Sequence, residues 1–339
     1  MSAAATARTA TPPARQMLAV ILIVPAVVAL ALWAFAWPTA RIAPRDLPVG
    51  VAGPAAATAS IQHQLAERDG AFDVHRYADE AAARAAIEAR EVYGAVVVTA
   101  QGPKLLTATA ASPAVAQLLQ EAASHQAPPG TRPRTEDVVA APASDPRGAA
   151  LGSSLLPLSL AGVAAGAVAT LLGLRGTRAV AALTGASVLA GLVVTTIADT
   201  WLSIVTGDWW LEAGALTLTV LAASAAVAGF AALLGRSGIG VGALLIVLIG
   251  NPWSGVTSAP HLLPEPAGLI GQWLPPGAGG SLLRSVAFFD GSGAGAAITT
   301  LAVWAAVGLT AVALNRPRGR EAAAGSEHRS PAGAPAPAA

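Results

Sequence analysis

The stretch that decides the fold is an apolar run that ends too early to cross a membrane. Residues 237–250 read SGIGVGALLIVLIG and are followed by NPWSG at residues 251–255. As a helix, a run of 14 residues rises about 21 Å at about 1.5 Å per residue, whereas the hydrocarbon core of a bilayer is about 30 Å thick. The chain must therefore either continue as a helix past Pro252 or turn while still at membrane depth.

The segment that follows, residues 251–290, is rich in proline and glycine but remains largely apolar. Irregular backbone inside a bilayer has to be shielded by protein or line a wet cavity, because lipid offers its amides no hydrogen-bond partners. We therefore predict a re-entrant segment that forms or supports a translocation path. Its candidate residues are Asn251, Pro252, Trp253, Pro264, Pro275, Pro276 and Arg284.

Within this segment the sequence predicts two short helices that dip into the membrane and return on the same side. The first covers residues 266–274 and the second residues 281–289, with a glycine turn at residues 277–280 between them. We also expect the Asn251 side chain to satisfy backbone groups left free by Pro252. A thinner bilayer, or a helix that continues through the proline, would close the same gap.

Composition places the chain in a membrane. It has 339 residues, of which 54% are hydrophobic and only 12% are charged, whereas soluble domains carry about 25% charged residues. The net charge of +1 gives no electrostatic case for nucleic-acid binding. The absence of cysteine excludes disulfides, thiol nucleophiles and cysteine metal sites. One lysine against 19 arginines, with much alanine, glycine and proline, is typical of a GC-rich bacterial genome.

Six apolar runs are candidates for membrane crossings. The first is long enough to span, and we prefer an uncleaved anchor to a signal peptide, whose apolar core is about 7–15 residues. The six runs lie at residues 17–37, 155–174, 179–198, 213–235, 237–250 and 294–314.

Arginine placement predicts the orientation of these crossings. The arginines near the spans fall on alternate connections, which assigns those connections and both termini to the cytoplasm. They are Arg8, Arg15, Arg175, Arg178, Arg236, Arg316, Arg318 and Arg320. We therefore predict an α-helical polytopic protein of the bacterial cytoplasmic membrane, with six transmembrane helices and both termini inside.

The crossings divide the chain into five parts. Residues 1–16 form a cytoplasmic tail, residues 17–37 the first transmembrane helix, residues 38–150 an extracytoplasmic domain, and residues 151–315 a five-helix membrane domain. The tail at residues 316–339 is rich in alanine, proline and glycine, and we expect it to be disordered.

Residues 38–150, which we call the inserted domain, have the pattern of a small α/β fold. Residues 47–52 and 72–77 read as strands, and residues 93–98 form a continuous apolar run suited to a buried central strand. Amphipathic or alanine-rich helical segments alternate with them. Alternating strands and helices predict an α/β domain with its own modest core.

The sequence offers no catalytic constellation, so we expect neither an enzyme nor a cofactor. There is no phosphate-binding Gly-x-x-x-x-Gly-Lys loop, and we interpret His63 and His75 as solvated surface residues rather than a metal pair. His261 is interpreted as a lipid headgroup contact. Two Gly-x-x-x-Gly spacings, at residues 162–166 and 238–242, predict close helix packing.

The layout resembles the ABC-2-type permease superfamily, and most closely its phage-infection-protein-like branch. The resemblance covers nearly the whole chain: one span, an inserted α/β domain and five further spans. The matching residues are Ala95-Val96-Val97-Val98 after an alanine-rich helix, Asn251-Pro252-Trp253-Ser254-Gly255, Leu263-Pro264, Leu274-Pro275-Pro276-Gly277, Arg284 and Phe288-Phe289. It implies a permease half that forms a homodimer, pairs with a separate ATPase and exports lipids, drugs or polymers through a region with a re-entrant segment.

One departure from this family concerns the ATPase. An ATPase needs a cytoplasmic element on which to dock, and residues 175–178 are too short a connection to supply one. Two hypotheses remain: a permease that exports a lipid, drug or envelope component, and a non-transporting envelope protein whose inserted domain binds a partner or surface ligand. A neighbouring ATPase gene favours the first, whereas normal efflux with altered envelope assembly or phage adsorption favours the second.

The arginine pattern can be tested by thiol labelling, because the chain has no cysteine of its own. In intact cells, Ser60→Cys and Gln120→Cys should react with an impermeant thiol reagent, and Thr177→Cys should react only after lysis. Labelling of Thr177→Cys from outside would contradict the predicted orientation.

Overall fold

The computed structural model describes residues 13–126 and 133–315. Within those ranges, five helices are long and apolar enough to cross a membrane, which suggests a multi-pass membrane protein. They are α1 (Pro13–Ala40), α5 (Ala149–Leu171), α6 (Gly176–Thr195), α7 (Trp209–Leu234) and α11 (Gly295–Leu314). Most of the predicted tail at residues 1–16, and all of that at residues 316–339, lies outside the described residues.

The apolar run at residues 237–250, which we counted as a sixth crossing, forms a helix as short as its length predicts. Helix α8 (Ser237–Ala243) continues with π geometry through residues 244–250 and stops there. Helix α6 is likewise extended by a π-helical segment, Thr196–Trp201. The prediction of six crossings therefore meets a structure whose described residues contain five full-length candidates and one shorter apolar helix at residues 237–250.

The inserted domain is a mixed five-stranded sheet with helices, as the alternating pattern predicts. Its strand order is β2-β1-β3-β4-β5, with β1 parallel to both β2 and β3, and β4 antiparallel to β3 and parallel to β5. The strands are β1 (Leu47–Ala52), β2 (Phe72–Tyr77), β3 (Gly94–Thr99), β4 (Gly102–Thr107) and β5 (Arg134–Asp137). The helices are α2 (Ala55–Ala66), α3 (Glu80–Glu88) and α4 (Pro113–Gln126).

Two apolar clusters form the core of this domain, and both include residues from the membrane part of the chain. One cluster contains Ile87 and Leu106 together with Phe289. The other contains Leu47 together with Leu262. The inserted domain is therefore joined to the membrane part through a shared core rather than through a flexible linker.

Helix α7 is the centre of the membrane part, packed by α5, α6, α8, α11 and α10 (Pro275–Phe288). A helix that is apolar on all sides is suited to such a buried position. Small residues let the neighbours approach closely: a Cβ at Gly162 would lie 2.6 Å from the Ala223 methyl group, and one at Gly242 would lie 2.8 Å from Val227 Cα. Both predicted glycine spacings therefore lie at tight helix contacts.

After residue 250 the chain forms a helical hairpin, α9 (Ala267–Gln272) and α10 (Pro275–Phe288). The predicted glycine turn at residues 277–280 is wrong, because these glycines lie inside α10. Proline is favoured in the first turn of a helix, so Pro275 and Pro276 begin α10 instead of only ending α9. The glycines are required by packing, since a Cβ at Gly279 would lie 2.3 Å from Thr219 of α7.

The tip of the hairpin lies level with the middle of the long helices. The Trp304 indole Nε1 donates to the Trp273 carbonyl at 2.8 Å, and Trp304 lies about 14 Å from the start of α11 at about 1.5 Å per residue. Pro276 contacts Gly250 at the end of the short helix. At the other end of α10, Val286 contacts Gly207, just before α7 begins. The hairpin thus enters and leaves at the end of the bundle nearest the inserted domain.

A charge cluster ties α3 to the edge of the sheet. Lys104 Nζ lies 2.6 Å from a Glu136 carboxylate oxygen and 2.7 Å from Glu80, and Arg84 also donates to Glu136. These hydrogen bonds, that from Lys104 foremost, hold the pKa of Glu136 below its ordinary value of 4.5. The groups are partly exposed, so solvent weakens their contribution to stability.

Glu136→Gln should lower the melting temperature of the inserted domain at neutral pH. A depressed folded pKa stabilises the domain above the unfolded value, and this contribution is lost as pH falls through the folded pKa. The difference from the unmodified chain should therefore vanish well below pH 4.5. The melting temperature at each pH can be measured from the cleavage of the inserted domain by protease on heating. Glu121→Gln is the control, because in the described part of the chain the Glu121 carboxylate accepts from the Gln117 amide and joins no ion pair. A pH-independent difference at Glu136 would contradict the assignment.

Candidate functional site

Between residues 250 and 259 the chain crosses the protein interior without regular structure, and we call residues 251–258 the unwound stretch. Trp253, Ser254 and Val256 within it are buried. Buried carbonyl groups outside a helix need other donors. The unwound stretch receives them from side chains on three different elements.

The carbonyls of residues 254, 256 and 258 in the unwound stretch each accept a hydrogen bond from one side chain. Gln272 Nε2 donates to the Ser254 carbonyl at 2.8 Å. Arg284 Nη2 donates to the Val256 carbonyl, and Ser112 Oγ to that of Ser258. Arg284 on α10 is 5% exposed, so its first role is to satisfy buried backbone.

A cavity of about 350 Å³ lies where the inserted domain meets the hairpin and α11. The inserted domain contributes Arg90 and Tyr93, and the segment above α9 contributes His261. Gln272 and Trp273 at the tip of α9, with Ala297 and Thr300 of α11, form the opposite walls. The charged groups of its lining come from the inserted domain, whereas the hairpin and α11 contribute both apolar and uncharged polar side chains.

Arg90 connects the inserted domain to α10. Its backbone has a φ of 61° at the end of α3, a left-handed conformation in which non-glycine residues are uncommon. The guanidinium donates through Nη1 to the Ser281 carbonyl at 3.0 Å and to the Ser285 hydroxyl, and it lies 5.3 Å from the centre of the Phe289 ring. Burial lowers the pKa of Arg90, although an arginine remains charged in proteins.

His261, which we interpreted as a lipid headgroup contact, lies partly buried inside this junction and lines the cavity. Its ring meets that of Tyr93 edge-on at 5.6 Å, and Nδ1 lies 3.4 Å from the Tyr93 hydroxyl. Burial lowers the pKa of His261 and raises that of Tyr93. Both side chains are therefore neutral at physiological pH. The backbone carbonyl of His261 also accepts from the Arg45 amide at 2.9 Å.

The structure brings the predicted residues together around the unwound stretch rather than around the cavity. Trp253 packs against Trp33 and donates Nε1 to the Ala34 carbonyl at 3.2 Å, which fixes the end of α1. The Asn251 carbonyl accepts from the Ser254 hydroxyl at 2.7 Å. Within residues 13–126 and 133–315, the Asn251 side chain does not make the hydrogen bond to the backbone that we expected. Pro252 lies in the turn that follows Asn251.

The remaining predicted residues belong to the hairpin and its approach. Pro264 is buried and its carbonyl accepts from the Ala267 amide at the start of α9. Pro275 and Pro276 are buried in the first turn of α10. Arg284 lies two turns further on and faces the unwound stretch.

Four polar residues of the junction were not predicted: Arg90, Tyr93, Gln272 and Ser281. The available signal was the placement of Gln272 and Ser281 in an otherwise apolar hairpin. Ser281 Oγ donates to Gln272 Oε1 at 2.6 Å, so these two form one network. Nothing local distinguished Arg90 from the other arginines of the inserted domain.

A second unexpected feature is a buried carboxylate at the start of α7. Glu212 is 0% exposed, and its Oε1 accepts from the Gly207 amide at 2.8 Å. This bond closes the turn that leads into α7. Among the described residues, no three side chains of metal-ligating type are grouped as a metal site would need.

Comparison with known proteins gives no relative from which a function could be transferred. No protein-family model matches the chain, and neither a curated protein nor a solved structure matches it significantly. The candidate site therefore stands on its geometry: a partly apolar cavity with one partly buried arginine, beside an unwound stretch held by side-chain donors.

Proposed function

We propose that this chain is an ABC-2-type permease-like membrane protein that exports an amphipathic molecule, a lipid, a drug or an envelope component. In this proposal both termini lie in the cytoplasm and the inserted domain lies outside. Helix α8 and the unwound stretch together make the fifth of six crossings. The hairpin α9–α10 is re-entrant from the outer side.

The cavity at the junction is the observation that carries this proposal. Its volume of about 350 Å³ suits part of an amphiphile rather than an ion. It combines the charge of Arg90 with apolar walls from Trp273 and Ala297. Trp273 is 61% exposed, so the cavity lies beside a surface that lipid would cover.

The unwound stretch and the hairpin support the same proposal. Membrane transporters commonly place broken helices and irregular backbone where a substrate passes, because such backbone is tolerated only beside protein or a cavity. Here the break at Gly250 adjoins Pro276 at the start of α10. Substrate would leave between this hairpin and α11, toward the inserted domain.

The proposal does not assign a separate ATPase. The connection between α5 and α6 is residues 172–175, and that between α7 and α8 is residues 235–236. Both are too short to form a docking element. A homodimer, which the family resemblance implies, remains part of the proposal.

The test compares export in the bacterium that carries the gene, in its deletion strain, and in strains that express defined variants. Ala296→Phe places a bulky ring at the mouth of the cavity from an exposed position on α11. We expect the deletion and Ala296→Phe to reduce efflux of amphipathic dyes, or outer-leaflet delivery of an envelope lipid, by about tenfold or more, because the one removes the path and the other fills the space that the substrate needs.

Ala306→Phe is the matched control, because Ala306 is also exposed on α11 but lies away from the cavity. It should restore export to the deletion strain. Unchanged efflux and lipid composition in the deletion strain, with altered envelope assembly or phage adsorption, would overturn the permease and favour a non-transporting protein that binds through the inserted domain.

A further inference from the structure

We propose that the cavity at the junction binds a phosphate group through Arg90, and that the source favoured by its position is the headgroup of a lipid-like amphiphile. This inference deepens the proposed function, on whose site it rests, by naming the chemical class of the substrate. It concerns binding alone, so it can be tested without transport.

The unused donors of Arg90 are the first support. A guanidinium has five N–H donors in a rigid fork. In the described part of the chain, the hydrogen bonds of Arg90 run from Nη1, to Ser281 and Ser285. The edge formed by Nε and Nη2 is therefore left over, and this edge matches two oxygens of a phosphate. Anchored by Nη1, the fork would be held in place before the ligand arrives.

The missing counter-charge of Arg90 is the second support. A charge that is partly removed from water without an ionic partner is unfavourable, and Arg90 is partly buried. Among the described residues, the ion pairs of the inserted domain involve other groups, and no carboxylate lies within 4.0 Å of Arg90. A bound anion would supply the missing charge.

The other groups around the cavity favour an anion at its buried end. His261 and Tyr93 face Arg90 as neutral rings, and Thr300 adds a hydroxyl from α11. The one carboxylate among the lining residues is Glu91, which is exposed at the rim and contacts the Tyr77 hydroxyl at 3.5 Å. The positive charge therefore lies inside and the negative charge at the entrance.

The apolar walls favour a lipid-like source over free phosphate. Trp273, Ala296 and Ala297 line the side of the cavity toward the membrane helices. A soluble phosphate would gain nothing from these contacts, whereas acyl or prenyl chains would be removed from water there. The headgroup and the first part of a chain would occupy one continuous space.

The experiment measures binding to the purified full chain in detergent by titration calorimetry. Three probes are compared: dihexanoyl phosphatidic acid, dihexanoylglycerol and inorganic phosphate. The first two differ only in the phosphate group. We expect phosphatidic acid to bind at least about tenfold tighter than dihexanoylglycerol, the factor that a charge-assisted hydrogen bond provides.

Variants separate recognition from structural damage. Arg90→Gln should abolish the preference for phosphatidic acid, but it also removes the anchor on Ser281. Ala296→Phe leaves every contact of Arg90 in place and should block binding, whereas Ala306→Phe should bind as the unmodified chain does. Glu91→Gln, which removes the opposing charge at the rim, should tighten binding.

The outcomes distinguish the phosphate site, the source of the phosphate and the permease function. Equal affinity for the two glycerides, or an unchanged phosphate preference in Ala296→Phe, would overturn the proposal. Phosphate that binds alone with the affinity of phosphatidic acid would support the phosphate site and assign it a soluble ligand. A phosphate preference in a chain whose deletion leaves export unchanged would overturn the permease function but not the binding site.

Discussion

The structure depends on one constraint: the backbone carbonyls of residues 254, 256 and 258 are buried where a helix would have satisfied them. Lipid cannot supply donors, and an unsatisfied buried carbonyl costs about 1–3 kcal/mol. Gln272, Arg284 and Ser112 each supply one donor. Because these donors come from α9, from α10 and from the inserted domain, the break in the helix after Gly250 fixes the positions of all three.

The same constraint accounts for the glycines of the hairpin. The donors reach the unwound stretch only if α9 and α10 approach it closely. A Cβ at Gly271 would lie 1.7 Å from the Trp253 carbonyl oxygen, and one at Gly280 would lie 2.2 Å from Val256. Larger side chains at either position would separate the hairpin from the stretch it supports. The proposed substrate cavity is the space that remains beside this packing, on the side of α11.

Local sequence patterns predicted the features that depend on residues close together in the chain. The strands at residues 47–52 and 72–77 and the close glycine contacts of Gly162 and Gly242 are confirmed. The prediction of a glycine turn in the hairpin was wrong. The preference of proline for a helix start outweighed that of glycine for turns, so residues 277–280 lie in a helix. Arg90 could not be found, since its partner Ser281 is 191 residues away in the chain. Contacts of that kind become visible only in three dimensions.

The central claim is that the tip of the hairpin lies at membrane depth. Its most direct test is the accessibility of single spin labels in the reconstituted chain, which has no native cysteine. Labels at Leu269→Cys and Trp273→Cys, both exposed positions, should be accessible to oxygen but shielded from a water-soluble nickel chelate. Labels at Glu265→Cys and Asp290→Cys should be accessible to the nickel chelate and less accessible to oxygen. Equal nickel accessibility at all four positions would make the segment a surface loop and contradict the account.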